Sequence, residues 1–143
     1  MDIEVRLAEQ RDYEIINEIL EEIQPCDSNL RSKRLSQALD SNLSSYLVAV
    51  SSGKVIGFLN IWHLPDIVDG GIMGIVLDCY VLAEYRNHGV GKMLVGSAME
   101  LGKKFGVNKY YGWMAPENKA AIALLRKHGF ATESLMLEKK VNN

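Results

Sequence analysis

The spacing of apolar side chains changes repeatedly along the chain between the two-residue period of a strand and the 3.6-residue period of a helix. In the first half, this pattern predicts a strand, two helices and two further strands, at residues 3–7, 8–23, 28–43, 46–50 and 54–63. The helices are separated by Gln24-Pro25-Cys26-Asp27, and the last two strands by Ser51-Ser52-Gly53, which is typical of a hairpin turn. The first half therefore predicts two helices followed by a β-hairpin.

The second half alternates strands and helices one by one. After a loop at 64–71, the pattern predicts a strand, a helix, a strand, a helix and a strand, at residues 74–82, 90–105, 109–114, 116–128 and 134–141. Gly106 and Gly129 follow the two helices, where glycine commonly ends a helix, and Pro116 stands where the second one is predicted to begin. The complete order predicts a layered α/β (α+β) fold with a mixed sheet.

Composition indicates one small domain that spans residues 1–143. The 143 residues are 48% hydrophobic, so the chain can bury roughly two thirds of its unfolded surface around one core. A net charge of −2 is not typical of a nucleic-acid-binding surface, and no apolar run reaches the roughly 20 residues of a membrane span. Cys26 and Cys79 show neither the spacing of a metal site nor a disulfide framework, which favours a cytoplasmic location.

The segment Arg86-Asn87-His88-Gly89-Val90-Gly91-Lys92 joins a predicted strand to a predicted helix. The first turn of a helix leaves backbone N–H groups without partners and carries the positive end of the helix dipole, so it favours an anion. Glycines at 89 and 91 remove the Cβ atoms that would keep a phosphate away from those N–H groups. The loop therefore predicts a cradle for a phosphate or a pyrophosphate.

Two common nucleotide-binding loops do not fit this segment. A P-loop requires glycine at the position of Arg86, and serine or threonine at the position of Met93. A dinucleotide-binding fingerprint requires a small residue at the position of Leu94 and an acid about twenty positions later. Residues 111–114 supply no acid, so neither class of nucleotide site is expected.

Two stretches of the chain resemble signatures of the GNAT superfamily of acetyl-CoA-dependent N-acetyltransferases. The run from Val81 to Gly91 is similar to that superfamily's strand, bend and Arg/Gln-x-x-Gly-x-Gly/Ala loop. The run from Asn118 to Phe130 resembles its second signature, in which Asn-x-x-Ala precedes an apolar helix face and Gly-Phe. The resemblance implies a mixed, mostly antiparallel central sheet flanked by helices, with two strands that splay apart.

The resemblance also implies acetyl-CoA as the cosubstrate, with its pantetheine arm between the splayed strands. In that arrangement the main chain of Cys79, Tyr80 and Val81 pairs with the pantetheine amides, and the glycine-bearing loop holds the pyrophosphate. The expected cofactor-binding residues are Cys79, Tyr80, Val81, Arg86, Asn87, His88, Gly89, Val90, Gly91, Lys92 and Asn118.

Asp78 is the first candidate for chemistry on the acceptor. An acid inside an otherwise apolar strand costs free energy unless it is paired or faces a cleft, and its position resembles that of an acid in many GNAT enzymes. A carboxylate with a pKa of about 3.9 is a weak base for a lysine-like amine, so we interpret Asp78 as the counter-ion of the incoming ammonium. The alternative is an Asp that neighbouring protein groups satisfy.

Leu125 stands where many family members carry a tyrosine that protonates the departing CoA thiolate. Tyr80 is the candidate replacement, with a packing role as its alternative, and solvent is a further source of the proton. Trp62 and His63 lie where acceptor sites form in the family, although packing at the strand end is again the alternative.

Together the resemblance implies an N-acetyltransferase in which a primary amine, on a small molecule or a peptide, attacks the thioester directly in a ternary complex. The alternative is a CoA-binding sensor or subunit of the same fold without turnover, which the leucine at position 125 keeps open. Family members commonly dimerise, which extends the expectation to a homodimer; no metal site is expected.

Overall fold

A computed structural model describes residues 1–142 and contains one five-stranded sheet in the order β1-β2-β3-β4-β5. The strands are β1 (Glu4–Leu7), β2 (Ser44–Ser51), β3 (Lys54–Pro65), β4 (Ile72–Val81) and β5 (Val107–Gly112). The first four strands pair antiparallel, whereas β5 is parallel to β4. The helices are α1 (Tyr13–Ile23), α2 (Ser28–Asp40), α3 (Val90–Phe105) and α4 (Lys119–Lys127). The mixed, mostly antiparallel sheet flanked by helices confirms the predicted fold class.

Helices cover both faces of the sheet, and each face has its own apolar cluster. On the α1/α2 face, the cluster includes Ile16, Ile19, Leu35, Tyr46, Val48 and Phe58. On the α3/α4 face, it includes Leu59, Ile61, Val76, Leu94, Val95 and Leu125. No helix among residues 1–142 is long and apolar enough to cross a membrane.

Local turn and cap residues explain several element boundaries. Ser52 and Gly53 have φ angles of 50° and 76°, and two such left-handed residues in succession are what a tight two-residue hairpin turn requires. Asp27 begins α2, because its side-chain oxygen accepts hydrogen bonds from the N–H groups of Asn29 and Leu30. Gly106, at φ 75°, ends α3 as the sequence predicts.

Strand β4 contains a bulge at Leu77. Asn60 lies opposite Asp78 and Ile61 lies opposite Val76, so Leu77 is an extra residue without a partner on β3. A bulge shifts the alternation of side chains by one position. Val76 therefore packs on the α3/α4 face, and beyond the bulge Tyr80 packs on the α1/α2 face.

Several predicted boundaries in the second half are displaced, and β4 begins at Ile72, two residues before its predicted start. β5 begins at Val107, two residues before its predicted start, and ends at Gly112. α4 begins at Lys119 and not at Pro116, because the side chain of Asn118 accepts a hydrogen bond from the N–H of Ala121 and caps the helix there.

The predicted final strand at 134–141 is wrong for the isolated chain. Residues 131–142 form no helix or strand, and all of them are exposed. The alternation of side chains favours an extended conformation, but a strand also needs a neighbouring backbone with which to form hydrogen bonds. Among residues 1–142, no strand pairs with the segment.

Candidate functional site

Strands β4 and β5 pair along only part of their lengths. The parallel pairing runs from Ile72 opposite Val107 to Val76 opposite Gly112, and the N–H of Trp113 then donates to the Val76 carbonyl at 3.0 Å. β4 continues beyond this point to Val81, paired with β3 on its other side. The two strands therefore separate, which confirms the predicted splay and leaves an opening beside the second half of β4.

The backbone groups of Cys79 and Val81 face this opening. The N–H of Leu82 donates to Ile56 in β3 at 2.9 Å, and backbone directions alternate along a strand. Tyr80 accordingly directs its carbonyl toward β3, where it lies against Gly57, whereas the Val81 carbonyl accepts a hydrogen bond from Arg86 Nε at 3.0 Å. Cys79 and Val81 can thus offer backbone groups to a ligand, and Tyr80 cannot do so with its main chain.

The loop before α3 has the backbone of an anion cradle. Asn87 and Gly89 adopt left-handed φ angles of 64° and 78°, and α3 begins directly after Gly89. Among the described residues no side chain caps this helix start, so its first N–H groups remain available to a ligand. A Cβ on Gly89 would meet no atom within 4 Å, which shows that the space beside the loop is open.

Two other loop residues act mainly through packing. The Val90 side chain is buried in the cluster of the α3/α4 face, so only its backbone can reach a ligand. A Cβ on Gly91 would lie 2.9 Å from Cδ2 of Leu124, which shows that this glycine lets α3 approach α4 closely. The missing Cβ therefore leaves open space at Gly89 and makes room for α4 at Gly91, and the expectation that the backbone of both glycines holds a phosphate stays a prediction. Asn87, His88 and Lys92 have exposed side chains.

Arg86 and Asn118 are both engaged with protein groups. Besides its hydrogen bond to Val81, Arg86 places its guanidinium carbon 5.4 Å from the centre of the Tyr80 ring. Asn118 uses its side-chain oxygen to cap α4. Arg86 therefore lies at the opening, while the side chain of Asn118 orders a helix terminus.

A row of three polar side chains crosses the sheet on the α1/α2 face. Tyr46 on β2 lies opposite Asn60 on β3, and Asn60 lies opposite Asp78 on β4. Directly opposite residues in a sheet project to the same face. Asn60 is buried, and its Nδ2 donates to Ser44 Oγ at 2.9 Å and to the Ser45 carbonyl at 3.1 Å.

Sequence reasoning identified Asp78 but missed Tyr46 and Asn60. An amide inside the apolar run at 54–63 was an available signal, because a buried amide needs partners. Its relation to Asp78 depends on the pairing of two strands, and the bulge at Leu77 sets that register.

Asp78 is accessible to solvent yet surrounded by enough protein to perturb its ionisation. Desolvation raises the pKa of Asp78 above its usual range, and a hydrogen bond from Tyr46 opposes that increase. Burial, followed by the negative charge of Asp78, raises the pKa of Tyr46. Within residues 1–142, no basic side chain forms an ion pair with Asp78. Its carboxyl is therefore exposed, partly desolvated and without an ion-pair partner among these residues, so it can accept a cationic ligand.

Tyr80 and Cys79 project to opposite faces of β4. The Tyr80 ring packs on Phe58, with centroids 6.1 Å apart, on the same face as Asp78. Cys79 packs against the cluster of the α3/α4 face, and burial, together with the charge of Asp78, raises the pKa of its thiol to about 11. The thiol is neutral near pH 7, which favours packing over nucleophilic chemistry for Cys79.

Leu125 belongs to the core. It is only 5% exposed, and its Cδ1 occupies the position that a Cβ on Gly112 would need. The side chain therefore fills the space over the last paired residue of β5. Position 125 offers no proton donor, and in this chain it points into the apolar cluster of the α3/α4 face.

His63 lies on the face opposite to Asp78. Its ring stacks on Phe105 of α3 at a centroid distance of 4.1 Å, and in the described part of the chain neither ring nitrogen has a hydrogen-bond partner. Burial lowers the pKa of this imidazole. His63 is therefore a packed core residue, whereas Trp62, the next residue along β3, projects to the α1/α2 face.

Residues 11–130 match the Acetyltransferase (GNAT) family. Among curated proteins, none matches this sequence significantly. The matched range contains both the glycine-bearing loop and the run from Asn118 to Phe130, so the two signatures lie inside one family match.

Solved structures of low sequence identity share the fold. Aminoglycoside N-acetyltransferase AAC(6')-Iy, crystallised with CoA, is 20% identical with a TM-score of 0.86, over 97% of this chain and 95% of that one. A ribosomal-protein-alanine N-acetyltransferase from Brucella melitensis biovar Abortus 2308 is 18% identical with a TM-score of 0.83, over 98% and 100%. A transcriptional regulator from Bacillus halodurans C-125 is 16% identical with a TM-score of 0.85, also over 98% and 100%. With its splayed strands, its loop before α3 and a family match over most of its length, this chain belongs to the GNAT acetyltransferase family.

Proposed function

We propose that this chain transfers the acetyl group of acetyl-CoA to a primary amine on a small molecule or a peptide. The observation that carries the proposal is the opening where β4 leaves β5, with Cys79 and Val81 facing it and an anion cradle nearby. Family membership and the CoA complex of the structurally similar aminoglycoside acetyltransferase support it. Acetyl-CoA supplies an acetyl group activated as a thioester.

The proposed binding of CoA uses two parts of the site. Free N–H groups at the start of α3 and in the loop from Asn87 hold the pyrophosphate, through hydrogen bonds to a charged group that contribute about 1.5–3 kcal/mol each. The backbone of Cys79 and Val81 pairs with the pantetheine amides, as an added strand would. In the free protein, Arg86 donates a hydrogen bond to the Val81 carbonyl. When a pantetheine amide takes this carbonyl instead, the guanidinium is free to contact the phosphates.

The proposed acceptor site lies at Asp78. An amine with a pKa near 10.4 is protonated at pH 7, and removing its proton costs about 4–5 kcal/mol. The Asp78 carboxylate binds the ammonium first, and its raised pKa makes it a better proton acceptor than an ordinary aspartate. The Tyr46 hydroxyl orients this carboxylate from across the sheet. The N–H of Val81, which faces the opening, is the proposed donor to the reacting carbonyl oxygen.

The thiolate of CoA receives its proton from water or from Tyr80 in this proposal. The Tyr80 ring is fixed between Phe58 and Arg86, on the same face as Asp78, so a donor role requires its hydroxyl to reach the opening. A positioned general acid contributes typically about 10²–10⁴-fold, so its replacement by water slows turnover without abolishing it.

A parallel measurement of binding and turnover tests the proposal. Titration calorimetry measures the affinity for CoA, and release of free CoA thiol is followed with a panel of polyamines, amino acids, aminoglycosides and peptides. Thiol release with any amine, reduced at least tenfold in Asp78→Asn, supports the acetyltransferase. The core position of Leu125 favours one rival, a CoA-binding sensor or subunit without turnover. Tight CoA binding with no thiol release on the whole panel supports that rival, and absence of CoA binding overturns both.

A further inference from the structure

A row of three apolar side chains crosses strands β3, β4 and β5. Trp62 lies opposite Ile75, and Ile75 lies opposite Tyr111 on its other side. Directly opposite residues project to the same face of a sheet. Ile61 and Val76, which are next to two members of the row, pack in the cluster of the α3/α4 face, so the row lies on the α1/α2 face.

The row lies beyond the cover of α1 and α2. The cluster under these helices takes its strand residues from β2, the first half of β3 and the end of β4. Trp62 and Tyr111 are half-buried, and within residues 1–142 neither ring pairs with another aromatic ring. Ile75 between them is only 4% exposed. The row therefore has an apolar floor with an aromatic side chain on either side.

Trp113 extends this surface toward Asp78. Its N–H donates to the Val76 carbonyl at 3.0 Å, so Trp113 lies beside β4 at the point where β4 and β5 separate. Met114 packs on the cluster of the α3/α4 face, so alternation turns the Trp113 side chain to the other face, where it is 47% exposed. The row and this side chain together form the aromatic trough: Trp62, Ile75, Tyr111 and Trp113.

Asp78 provides a negative charge at one end of the aromatic trough. It lies opposite Asn60, two residues before Trp62 on β3, so Asp78 and Trp62 are diagonal neighbours about 7–8 Å apart. Within residues 1–142, no basic side chain forms an ion pair with Asp78. At the other end, Lys109 is already paired with two aspartates of the loop after β3. The surface therefore complements a ligand with one positive charge next to an apolar ring.

We propose that the aromatic trough holds the body of the acetyl acceptor, and that this acceptor is an aralkyl monoamine, with one primary ammonium a short carbon chain away from an aromatic ring. The proposal rests on the acetyl transfer proposed above and names its substrate class. The ammonium pairs with Asp78, and the ring covers Ile75 in offset or edge-on contact with the flanking aromatic side chains. An acceptor with several ammonium groups fits less well, because each further one loses hydration over the trough without a carboxylate as its partner.

The transfer itself is balanced with this acceptor. The amine nitrogen forms a bond to the acetyl carbonyl carbon, and the C–S bond of the thioester breaks. The ammonium gives up two protons, one to solvent before the attack and one to the departing thiolate. The products are an N-acetyl aralkyl amine and CoA.

Turnover on matched amines tests the choice of acceptor. Release of CoA thiol from acetyl-CoA is compared for phenethylamine, ethylamine and spermidine, which share a primary ammonium and differ in their ring and their number of charges. The kcat/KM for phenethylamine should exceed the other two at least tenfold, since burial of a ring contributes about 1.5–3 kcal/mol. Thiol release that is as fast with ethylamine or spermidine overturns the aromatic acceptor and leaves the acetyl transfer in place.

Variants of Trp62 separate binding of the ring from folding. Trp62→Ala should reduce the preference for phenethylamine over ethylamine about tenfold, mainly through KM, and Trp62→Phe should retain most of it. Phe105→Ala is the matched control, because it removes a partly exposed ring that stacks on His63 at the opposite face of the sheet. This control should keep the preference of the unaltered protein. An unchanged preference in Trp62→Ala overturns the proposal.

Tryptophan fluorescence tests occupancy of the aromatic trough without turnover. The chain has two tryptophans, and both belong to the trough. Phenethylamine, added with CoA, should change their emission saturably, and ethylamine should not; no saturable change with phenethylamine overturns the proposal. Saturable binding without thiol release on any amine supports the site for the ring and overturns the acetyl transfer alone. Indoles that acrylamide cannot quench in the free protein would show that another part of the chain or a second copy fills the trough, which also overturns the proposal.

Discussion

Tyr46 and Asp78 face each other across Asn60, and each alters the acidity of the other. The phenol hydrogen bond lowers the pKa of the carboxyl against the larger effect of desolvation, which raises it. Burial raises the pKa of the phenol, and the carboxylate charge increases this effect. The two groups come from β2 and β4, so the pair exists only when three strands are assembled. It links the stability of the sheet to the charge of the proposed acceptor site.

The first prediction concerns Asp78→Asn. A carboxyl whose pKa is raised on folding contributes stability below its unfolded pKa, and this contribution is lost as the pH rises through the folded value. At pH 7 the amide should therefore leave the melting temperature unchanged or higher, while kcat/KM for the amine falls at least tenfold and the CoA affinity is retained. Asp40→Asn, at the exposed end of α2, is the control. A lower melting temperature with unchanged kinetics would show that Asp78 is purely structural.

The second prediction concerns Tyr46→Phe. Loss of the hydroxyl removes the hydrogen bond that lowers the pKa of Asp78, so the pKa rises further. The acidic limb of the pH profile of kcat/KM for the amine should move to higher pH, and the CoA affinity should not change. Tyr111→Phe on β5 provides the comparison. If the limb stays in place, Asp78 is not the group that titrates.

The third prediction compares Gly89, which directly precedes α3, with Gly96 inside that helix. Gly89→Val forces a branched residue into a φ of 78°, beside the proposed phosphate cradle, and should weaken CoA binding at least tenfold. Gly96 lies in the middle of the same helix, with no atom within 4 Å of an added Cβ. Gly96→Ala should retain the CoA affinity and stabilise the helix by about 0.5–1 kcal/mol. Calorimetry and urea unfolding measure the two effects, and equal CoA affinity in both variants would contradict the cradle.

The fourth prediction concerns Leu125. Because its side chain fills the space over Gly112, Leu125→Tyr should overpack the core and cost about 1–3 kcal/mol of unfolding free energy. Leu125→Met conserves volume and should cost less than about 1.5 kcal/mol. Urea unfolding provides the comparison. A Leu125→Tyr protein that is fully stable and turns over faster would mean that position 125 faces the reacting groups.

The fifth prediction concerns the pH dependence of stability at His63. Burial lowers the pKa of this imidazole in the folded chain. Just below the unfolded pKa of about 6.5, the imidazole is therefore protonated in the unfolded chain but still neutral in the folded chain. The free energy of unfolding should decrease as the pH falls from about 6.5 toward the folded pKa. His63→Phe keeps the stacking on Phe105 and should flatten this dependence. Identical slopes in the two proteins between pH 5 and pH 7 would show that His63 does not titrate.

Features that depend on neighbouring residues in the sequence could be predicted. The hairpin turn at Ser52-Gly53, the bounds of α3 and the left-handed backbone of the loop before it all follow from local backbone preferences. The resemblance to the family signatures also predicted that β4 and β5 separate, because the first signature begins at the end of β4 that lies beside the opening.

Contacts between distant segments could not be predicted in the same way. The roles of Gly91 and Leu125 depend on which side chain faces them, respectively Leu124 of α4 and the backbone of β5. The extended pattern at 134–141 was visible, but strand formation requires a partner edge that the pattern does not specify. Tyr46 entered the site only through the register of three strands.

The bulge at Leu77 acts on β4 as a frameshift acts on a coding sequence. Every side chain after it exchanges one face of the sheet for the other, so Asp78 lies on the α1/α2 face and Cys79 packs against the α3/α4 core. Pairing of β4 with β3 without the bulge would set Leu77 opposite Asn60 and Asp78 opposite Leu59, which would bury the carboxyl among the aliphatic side chains of the α3/α4 face and turn Cys79 to the other face, with no residue altered. Deletion of Leu77, by contrast, would let Asp78 follow Val76 directly and stay opposite Asn60. The face that Asp78 occupies is therefore set by which residue of β4 is left out of the pairing, and not by the identity of the side chains alone.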